Sequence, residues 1–215
     1  MTYIFLVRHA MTVWHKEFRY AGSSDVGLAP EGYAQADRLA EWSRKADLDA
    51  IWCSPLSRAR LTAAPSASVT RIEPQIDERL SEVDFGLVEG KTLAEAEQLY
   101  PEAMQRFRND PVTFPMPGGE DPREAATRGA SAVRDIVAAH PKGRILVVAH
   151  KTLIRLTLCS LLGIPLVRYR SIFPVVNNAA LTEIRFRSQD VALMQYNSPL
   201  DLLLEQAALK KLRDV

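Results

Sequence analysis

The chain has 215 residues, with 27 Lys and Arg against 26 Asp and Glu, and a formal net charge of +1. Its 47% hydrophobic and 25% charged residues are ordinary for a globular protein and exclude an intrinsically disordered chain. The even charge excludes a generally basic surface for nucleic acid or anionic membrane, and no apolar run approaches the roughly 20 residues of a membrane span. The apolar amino terminus lacks a basic leader and Cys53 and Cys159 are isolated, so we expect a cytoplasmic protein with reduced thiols.

Strands and helices alternate along the first part of the chain. Short apolar runs rich in β-branched and aromatic residues predict strands, and apolar residues spaced three or four apart predict helices. The predicted elements are a strand over 2–7, a loop over 11–29, a helix from Pro30 to about Lys45, a strand over 50–53, a helix from Ser54 and an edge strand within 71–76. Tyr33 is expected on the inner face of the first helix, and Pro65 is expected to break or kink the second.

The second part continues the alternation after a loop over 77–91. Two short helices over 92–100 and 102–109 and a Pro- and Gly-rich loop to 121 form a predicted lid inserted in a single domain over 1–215. The remaining predicted elements are helices over 122–140, 152–162 and 200–212, and strands over 144–149, 180–186 and 191–196. The final helix packs on the domain or forms a dimer contact, so both a monomer and a homodimer are compatible with it.

This alternation predicts an α/β fold with a mainly parallel central sheet and helices on both faces. Ligands of such sheets bind beyond the carboxyl ends of the strands. Two predicted strands are followed by a histidine: Arg8 and His9 follow the strand over 2–7, and His150 directly follows the strand over 144–149. A histidine at a strand end is more often structural than catalytic, so neither residue indicates a function by itself.

Two arginines join the histidines at this edge. Arg8 precedes His9, and Arg58 lies in the first turn of the helix after the second strand. Two guanidinium groups beside two imidazoles suit a tetrahedral phosphate dianion, and the helix amino termini after Ser54 and His150 would add backbone N–H donors. The alternative is that both arginines are surface ion-pair partners.

Six segments in chain order resemble the histidine phosphatase superfamily, whose fold is the phosphoglycerate mutase-like fold. The resemblance covers about 150 residues, which makes it specific where a lone motif would be weak. The matching segments are Leu6-Val7-Arg8-His9-Ala10-Met11-Thr12, 28–36 (LAPEGYAQA), 53–63 (CSPLSRARLTA), 80–90 (LSEVDFGLVEG), 117–120 (PGGE) and 147–150 (VVAH).

The resemblance implies a role for each matching residue. His9 is the nucleophile that becomes phosphorylated, and Arg8, Arg58 and His150 hold the phosphoryl oxygens. Glu82 protonates the leaving oxygen and then activates water. The alternative for Glu82 is a carboxylate that only caps nearby N–H groups. The scheme needs no metal or other cofactor, and the acidic residues around Glu82 lack the ligand spacing of a calcium loop.

The chain departs from the family pattern beside the predicted site. Lys151-Thr152 follows His150 where two small residues are usual, His15 replaces the usual Asn, and Ala21 replaces a polar residue. We hypothesise that Lys151 and His15 favour a substrate with a second anionic group; the alternative is that Lys151 points to solvent and only narrows the pocket. The predicted substrate-binding residues are Arg8, Thr12, His15, Ala21, Gly22, Arg58, Lys151 and Thr152.

The expected function is hydrolysis of a small phosphorylated metabolite. The stretch 83–86 after Glu82 (VDFG) resembles the phosphatases of the family more than its mutases, and the chain is short for a mutase. Mutase-type phosphoryl transfer is the first alternative. A phosphate-binding scaffold without turnover is the second, although such a scaffold would not need His9, Arg58, Glu82 and His150 together.

Overall fold

The short apolar segments of the sequence form the centre of a sheet. The computed structural model describes residues 1–188 and 190–204, and within them six strands pair. The strands are β1 (Thr2–Arg8), β2 (Ala50–Cys53), β3 (Gln75–Ile76), β4 (Arg144–Ala149), β5 (Leu181–Arg187) and β6 (Asp190–Ser198). Their spatial order is β3-β2-β4-β1-β5-β6.

The pairing confirms a mainly parallel sheet. β1, β4, β2 and β3 pair in parallel, and β5 and β6 are antiparallel at one edge. Arg8 is in register with Ala149, and the N–H of His9 donates to the carbonyl of Ala149 over 2.9 Å. His9 and His150 therefore follow neighbouring strands at the same edge of the sheet.

Helices cover both faces of the sheet, as predicted. Alternate strand residues face opposite clusters: Ile4 and Val147 pack with α5 and α6, and Phe5 and Val148 pack with α1 and α2. The helices are α1 (Pro30–Ser43), α2 (Ser57–Thr70), α3 (Leu93–Leu99), α4 (Pro101–Asn109), α5 (Pro122–Ala139), α6 (Lys151–Leu162) and α7 (Tyr169–Ile172). No helix in the described part of the chain is long and apolar enough to cross a membrane.

The structure differs from the predicted elements at several points. A break or a kink was predicted at Pro65, and the break is wrong, because α2 continues through this residue to Thr70. Tyr33 is 50% exposed rather than on the inner face of α1, where Gly32 and Ala36 are buried. The short helix α7 was not predicted. The predicted terminal helix is seen from 200 to 204, and the rest of it lies outside the described residues.

Helices α3 and α4 pack around a small apolar cluster of their own, apart from the two clusters that flank the sheet. Its buried members are Val88, Ala96, Met104, Phe107 and Met116. Pro101 occupies the first position of α4, where its missing N–H costs no helical hydrogen bond. This unit coincides with the predicted lid segment over 92–121.

Candidate active site

His9 lies at the carboxyl end of β1 and is 5% exposed. Its Nδ1 is 2.8 Å from the carbonyl oxygen of Ala10, and a carbonyl can only accept. Nδ1 therefore carries the proton and donates, which leaves the lone pair of Nε2 free.

His150 lies beside His9, with 5.1 Å between the ring centroids, and is fully buried. Its Nδ1 accepts from Nε of Arg58 over 3.3 Å, and its Nε2 lies 2.8 Å from Oγ of Ser54. Burial, followed by the neighbouring positive charges, holds the pKa of both histidines well below the ordinary value. Both rings are therefore neutral near pH 7, the form in which an imidazole is a nucleophile.

Arg58 is fully buried beneath the loop over 21–24. Its guanidinium donates to the carbonyl oxygens of Ser24 and Gly22, each over 2.7 Å, and of Ala21 over 3.3 Å. With its Nε on His150, the side chain ties this loop to the histidine pair. In this arrangement most donors of Arg58 bind the protein itself.

Arg8 faces the site from the end of β1. Its Nη1 donates to the carbonyl of Val176 over 2.8 Å, its Nη2 lies 2.6 Å from Nε2 of His15, and its buried Nε has no hydrogen-bond partner. Burial lowers the pKa of Arg8 to about 10, so the group is positively charged at neutral pH. An unpaired buried donor at this point suits an anionic ligand.

His15 contacts Arg8, and both of its ring nitrogens have protein partners. Nε2 faces N–H donors on Arg8 and, over 3.3 Å, on Asn178, and Nδ1 faces the backbone N–H of Thr12 over 3.0 Å. Nδ1 lies 2.7 Å from Oγ1 of Thr12. Burial, then the charges of Arg8, Arg58 and Lys151, lowers the pKa of His15 to about 4. His15 is therefore neutral near pH 7 and contacts Arg8 without adding a positive charge.

Glu82 lies at the amino end of α6 and is 6% exposed. Its carboxylate accepts from the backbone N–H groups of Val83, Thr152 and Leu153, each over 2.9 Å. Glu82 therefore caps backbone N–H groups, as the alternative interpretation expected. The same side chain also lines the cleft above His9, so capping does not exclude a role in proton transfer.

The helix amino termini were predicted to donate N–H groups to the phosphate, and the structure assigns those donors differently. The N–H groups of Thr152 and Leu153 in the first turn of α6 donate to Glu82. The N–H and hydroxyl of Ser57, which opens α2, donate to Asp25 over 2.7 and 2.6 Å. Protein carboxylates occupy both termini, since each supplies the negative charge that a helix amino terminus favours.

The acidic segment after Glu82 binds backbone donors. Glu89 accepts from the N–H groups of Gly22 and Ser24 and, over 2.6 Å, from the hydroxyl of Ser24, and Phe85 N–H donates to it as well. A Cβ on Gly22 would lie 2.2 Å from Oε1 of Glu89, so only glycine permits this close approach. Among the described residues, no three His, Cys, Asp or Glu side chains are grouped as a metal site.

A cleft of about 740 Å³ opens above His9. Most of the residues predicted to bind substrate line it, Lys151 among them, half-buried rather than pointing away. Arg58, His150 and Gly22 are not part of its lining and lie behind it. The predicted residues on the cleft wall are Arg8, His9, Thr12, His15, Ala21, Glu82, Lys151 and Thr152.

Sequence reasoning missed four further cations on the cleft wall, which are Arg155 of α6, Arg170 of α7, Arg19 and Arg108. The spacing of four residues between Lys151 and Arg155 was the available signal, because residues four apart lie on the same helix face. It also missed the aromatic side chains of the cleft lining, which include Phe18, Tyr20, Phe85 and Phe107.

Residues 4–199 match the model of the histidine phosphatase superfamily (branch 1), and the chain belongs to this family. Its relatives include several phosphatases, and the chain is a phosphomonoesterase in the general sense.

Three known proteins illustrate the likeness. Phosphoserine phosphatase 1 of Hydrogenobacter thermophilus is 30% identical over 92% of each chain. The structure of YhfR from Bacillus stearothermophilus superposes with a TM-score of 0.88 at 29% identity, over 93% of this chain and 98% of that one. A mycobacterial glucosyl-3-phosphoglycerate phosphatase, solved with VO3, gives a TM-score of 0.85 at 28% identity, over 92% and 99%.

Proposed function

We propose that the protein is a metal-independent phosphomonoester hydrolase that acts on a small phosphorylated metabolite through a phosphohistidine at His9. The observation that carries the proposal is the state of this side chain: a neutral ring whose Nδ1–H is held by Ala10 and whose Nε2 lone pair is free. Arg8 supplies positive charge beside it. This arrangement holds the nucleophile in a fixed orientation for attack on an anionic phosphate. A free imidazole in water has no such fixed orientation.

The reaction proceeds in two displacements. In the first, Nε2 of His9 bonds to phosphorus while the bond from phosphorus to the ester oxygen breaks, and that oxygen takes a proton from the Glu82 carboxyl. In the second, the Glu82 carboxylate takes a proton from water, the water oxygen bonds to phosphorus, and the bond to His9 breaks. Phosphate leaves, and both side chains return to their starting states.

The charges around the site support both steps. The carbonyl of Ala10 stabilises the Nδ1–H of the phosphorylated ring, and Arg8 offsets the charge of the phosphoryl oxygens. His150 and Arg58 lie directly behind His9 and hold its neighbourhood rigid through their mutual contact of 3.3 Å.

The test is hydrolysis of an aryl phosphate in the presence of a metal chelator. Replacing His9 by Ala removes the nucleophile, so we expect phosphate release to fall about a thousandfold or more. His140→Gln is the matched control, because the carbonyl of His140 accepts from the hydroxyl of Thr2 over 3.3 Å, at the amino end of β1 and far from His9. We expect it to keep the parent rate.

The same assay separates the alternatives. Phosphohistidine hydrolyses in acid, so an acid quench would destroy the intermediate. The reaction is therefore quenched under alkaline conditions, and we expect the phosphorylated residue to be His9. A parent that releases no phosphate would indicate a binding scaffold, and transfer to an alcohol acceptor in place of water would indicate a mutase. An active His9→Ala variant would refute the proposal.

A further inference from the structure

The backbone leaves the sheet directly after His9. The N–H of His9 still bonds to β4, with the carbonyl of Ala149 as its acceptor over 2.9 Å. The next two peptide units join His9 to Ala10 and Ala10 to Met11, and within the described residues neither has a backbone hydrogen-bond partner. These units decide the direction of the His9 ring, because the carbonyl of Ala10 holds its Nδ1 over 2.8 Å.

The peptide unit between His9 and Ala10 is held at both ends by side chains. Its carbonyl accepts from Nδ2 of Asn178 over 2.9 Å, and its N–H donates to Oγ1 of Thr62 over 2.9 Å. A backbone carbonyl can only accept and a backbone N–H can only donate, so each contact requires the side-chain group that lies there. The unit therefore cannot rotate without the loss of a hydrogen bond.

The peptide unit between Ala10 and Met11 is held in a similar way. Its N–H donates to Oε1 of Gln35, in the second turn of α1, over 2.8 Å. A Cβ on Gly32 would lie 2.1 Å from the carbonyl oxygen of Met11, so only glycine lets the start of α1 come this close. The close approach of α1 brings Gln35 within reach of the backbone that follows His9.

The three side chains act on the site from outside the substrate cleft. Thr62 is fully buried in α2, and Asn178 lies between α7 and β5. Gln35 and Asn178 line a separate cavity of about 300 Å³ and are not part of the cleft lining. Their hydrogen bonds therefore reach a substrate only through the backbone that carries His9.

We propose that Gln35, Thr62 and Asn178 are positioning residues for the phosphoryl transfer, which hold the backbone after His9 so that Nε2 of its ring stays directed at the phosphorus of the substrate. The proposal rests on the proposed hydrolase function and assigns it three residues that do not touch the substrate. Without their contacts the Ala10 carbonyl would move away from Nδ1, and the ring would lose its fixed orientation.

The experiment uses the opposite hydrogen-bond chemistry of the two half-buried members. Gln35 accepts a hydrogen bond, and Asn178 donates one. Gln35→Glu keeps an acceptor of the same size, so kcat for an aryl phosphate should stay within about twofold of the parent. Asn178→Asp keeps the size but loses the donor, so kcat should fall about tenfold or more. KM should change little in either variant, because neither residue lines the cleft.

Further variants separate the hydrogen bonds from the added charge. Gln35→Leu and Asn178→Ala lose the hydrogen bond without adding a charge, so kcat should fall about tenfold in both. Asn177→Asp is the matched control, because this exposed neighbour gains the same charge and its side chain does not hold the backbone after His9. We expect it to keep the parent kcat.

Proton–nitrogen spectra of the protein with isotope-labelled histidine measure the ring of His9 without turnover. Its Nδ1–H signal, assigned by its loss in His9→Ala, should exchange slowly with water in the parent and in Gln35→Glu, and rapidly in Asn178→Asp. A parent that hydrolyses no ester would refute the hydrolase function, and the spectra would still test the three contacts. Equal kcat in Gln35→Glu and Asn178→Asp, or an unchanged His9 signal in Asn178→Asp, would overturn the positioning role.

Discussion

Single residues in the cleft are controlled by burial and by the positive charges around them. His9, His150 and His15 have lowered pKa values, with desolvation as the largest cause in each case. Neutral rings accept hydrogen bonds from arginine, and protonated rings would repel it. The histidines are thus compatible with their cationic surroundings only above the pH at which they take up a proton.

This electrostatic balance predicts a loss of stability in mild acid. The unfolded chain binds a proton at His15 near pH 6.5, and the folded chain does so only near pH 4. Between these values the unfolded state binds more protons, so the free energy of unfolding falls as the pH falls. At pH 5 we expect a contribution from His15 of about 1 kcal/mol after solvent screening of the half-buried ring.

Urea unfolding at pH 7.5 and pH 5 measures this contribution. His15→Asn removes the titrating group and keeps a polar amide beside Arg8, so the variant should lose less stability than the parent on acidification. Equal losses in the two proteins would show that protonation of His15 does not oppose folding.

At the scale of elements, the loop over 21–24 connects the acidic segment to the histidine pair. Glu89 holds the N–H groups of this loop, and Arg58 holds its carbonyl oxygens and, through Nε, His150. The loop has no regular secondary structure, so these side chains determine its path. Its geometry therefore depends on two buried or half-buried charges far apart in sequence.

Glu89→Gln tests this dependence. The amide has one acceptor oxygen in place of two, and its NH2 group would face the N–H donors of the loop. We expect unfolding to become easier by about 1–3 kcal/mol and kcat/KM for an aryl phosphate to fall at least several-fold, because buried donors lose their acceptors. Thermal unfolding and the rate assay measure both effects. Glu102→Gln, an exposed change in α4, is the control, and identical behaviour of the two variants would contradict the prediction.

Helix boundaries show where local sequence rules hold and where they fail. Pro30, Pro101 and Pro122 each occupy the first position of a helix, as their fixed backbone angle favours. Pro65 has the same chemistry, yet α2 continues through it. Ala63 before the proline and Ala67 after it both pack in the apolar cluster on this face of the sheet. That packing opposes the local cost of the proline and is not visible in a local pattern.

At the scale of the whole molecule, α3 and α4 form a separate small unit beside the cleft. Their buried cluster is smaller than the two clusters on the faces of the sheet, and Leu93, Phe107 and Arg108 of this unit line the cleft. We propose that the unit acts as a lid over the substrate.

Hydrogen exchange measures the independence of this unit. Because few buried contacts hold it, the amide of Met104 should exchange through an opening of lower free energy than the amide of Leu146 in β4. Vanadate, a phosphate analogue, should slow exchange at Met104 if the lid closes over the occupied site. Equal exchange at the two amides, with no effect of vanadate, would show that the lid moves only with the global fold.

The sequence was sufficient to predict the element types, the parallel sheet and the strand ends at His9 and His150, because apolar periodicity and strand length are local properties. The ordered motifs likewise predicted Arg8, Arg58 and Glu82 as members of one site. Tertiary structure alone decided which donors remain free for a ligand.

The reason is that hydrogen-bond partners in this cleft come from distant parts of the chain. Arg8 is held by Val176, Arg155 by Pro174, and Arg58 by the loop over 21–24. Each contact decides whether the N–H donors of an arginine are bound within the protein or remain available to a ligand. The near-zero net charge of the chain therefore coexists with a strongly positive cleft, since folding separates paired charges on the outside from unpaired ones within.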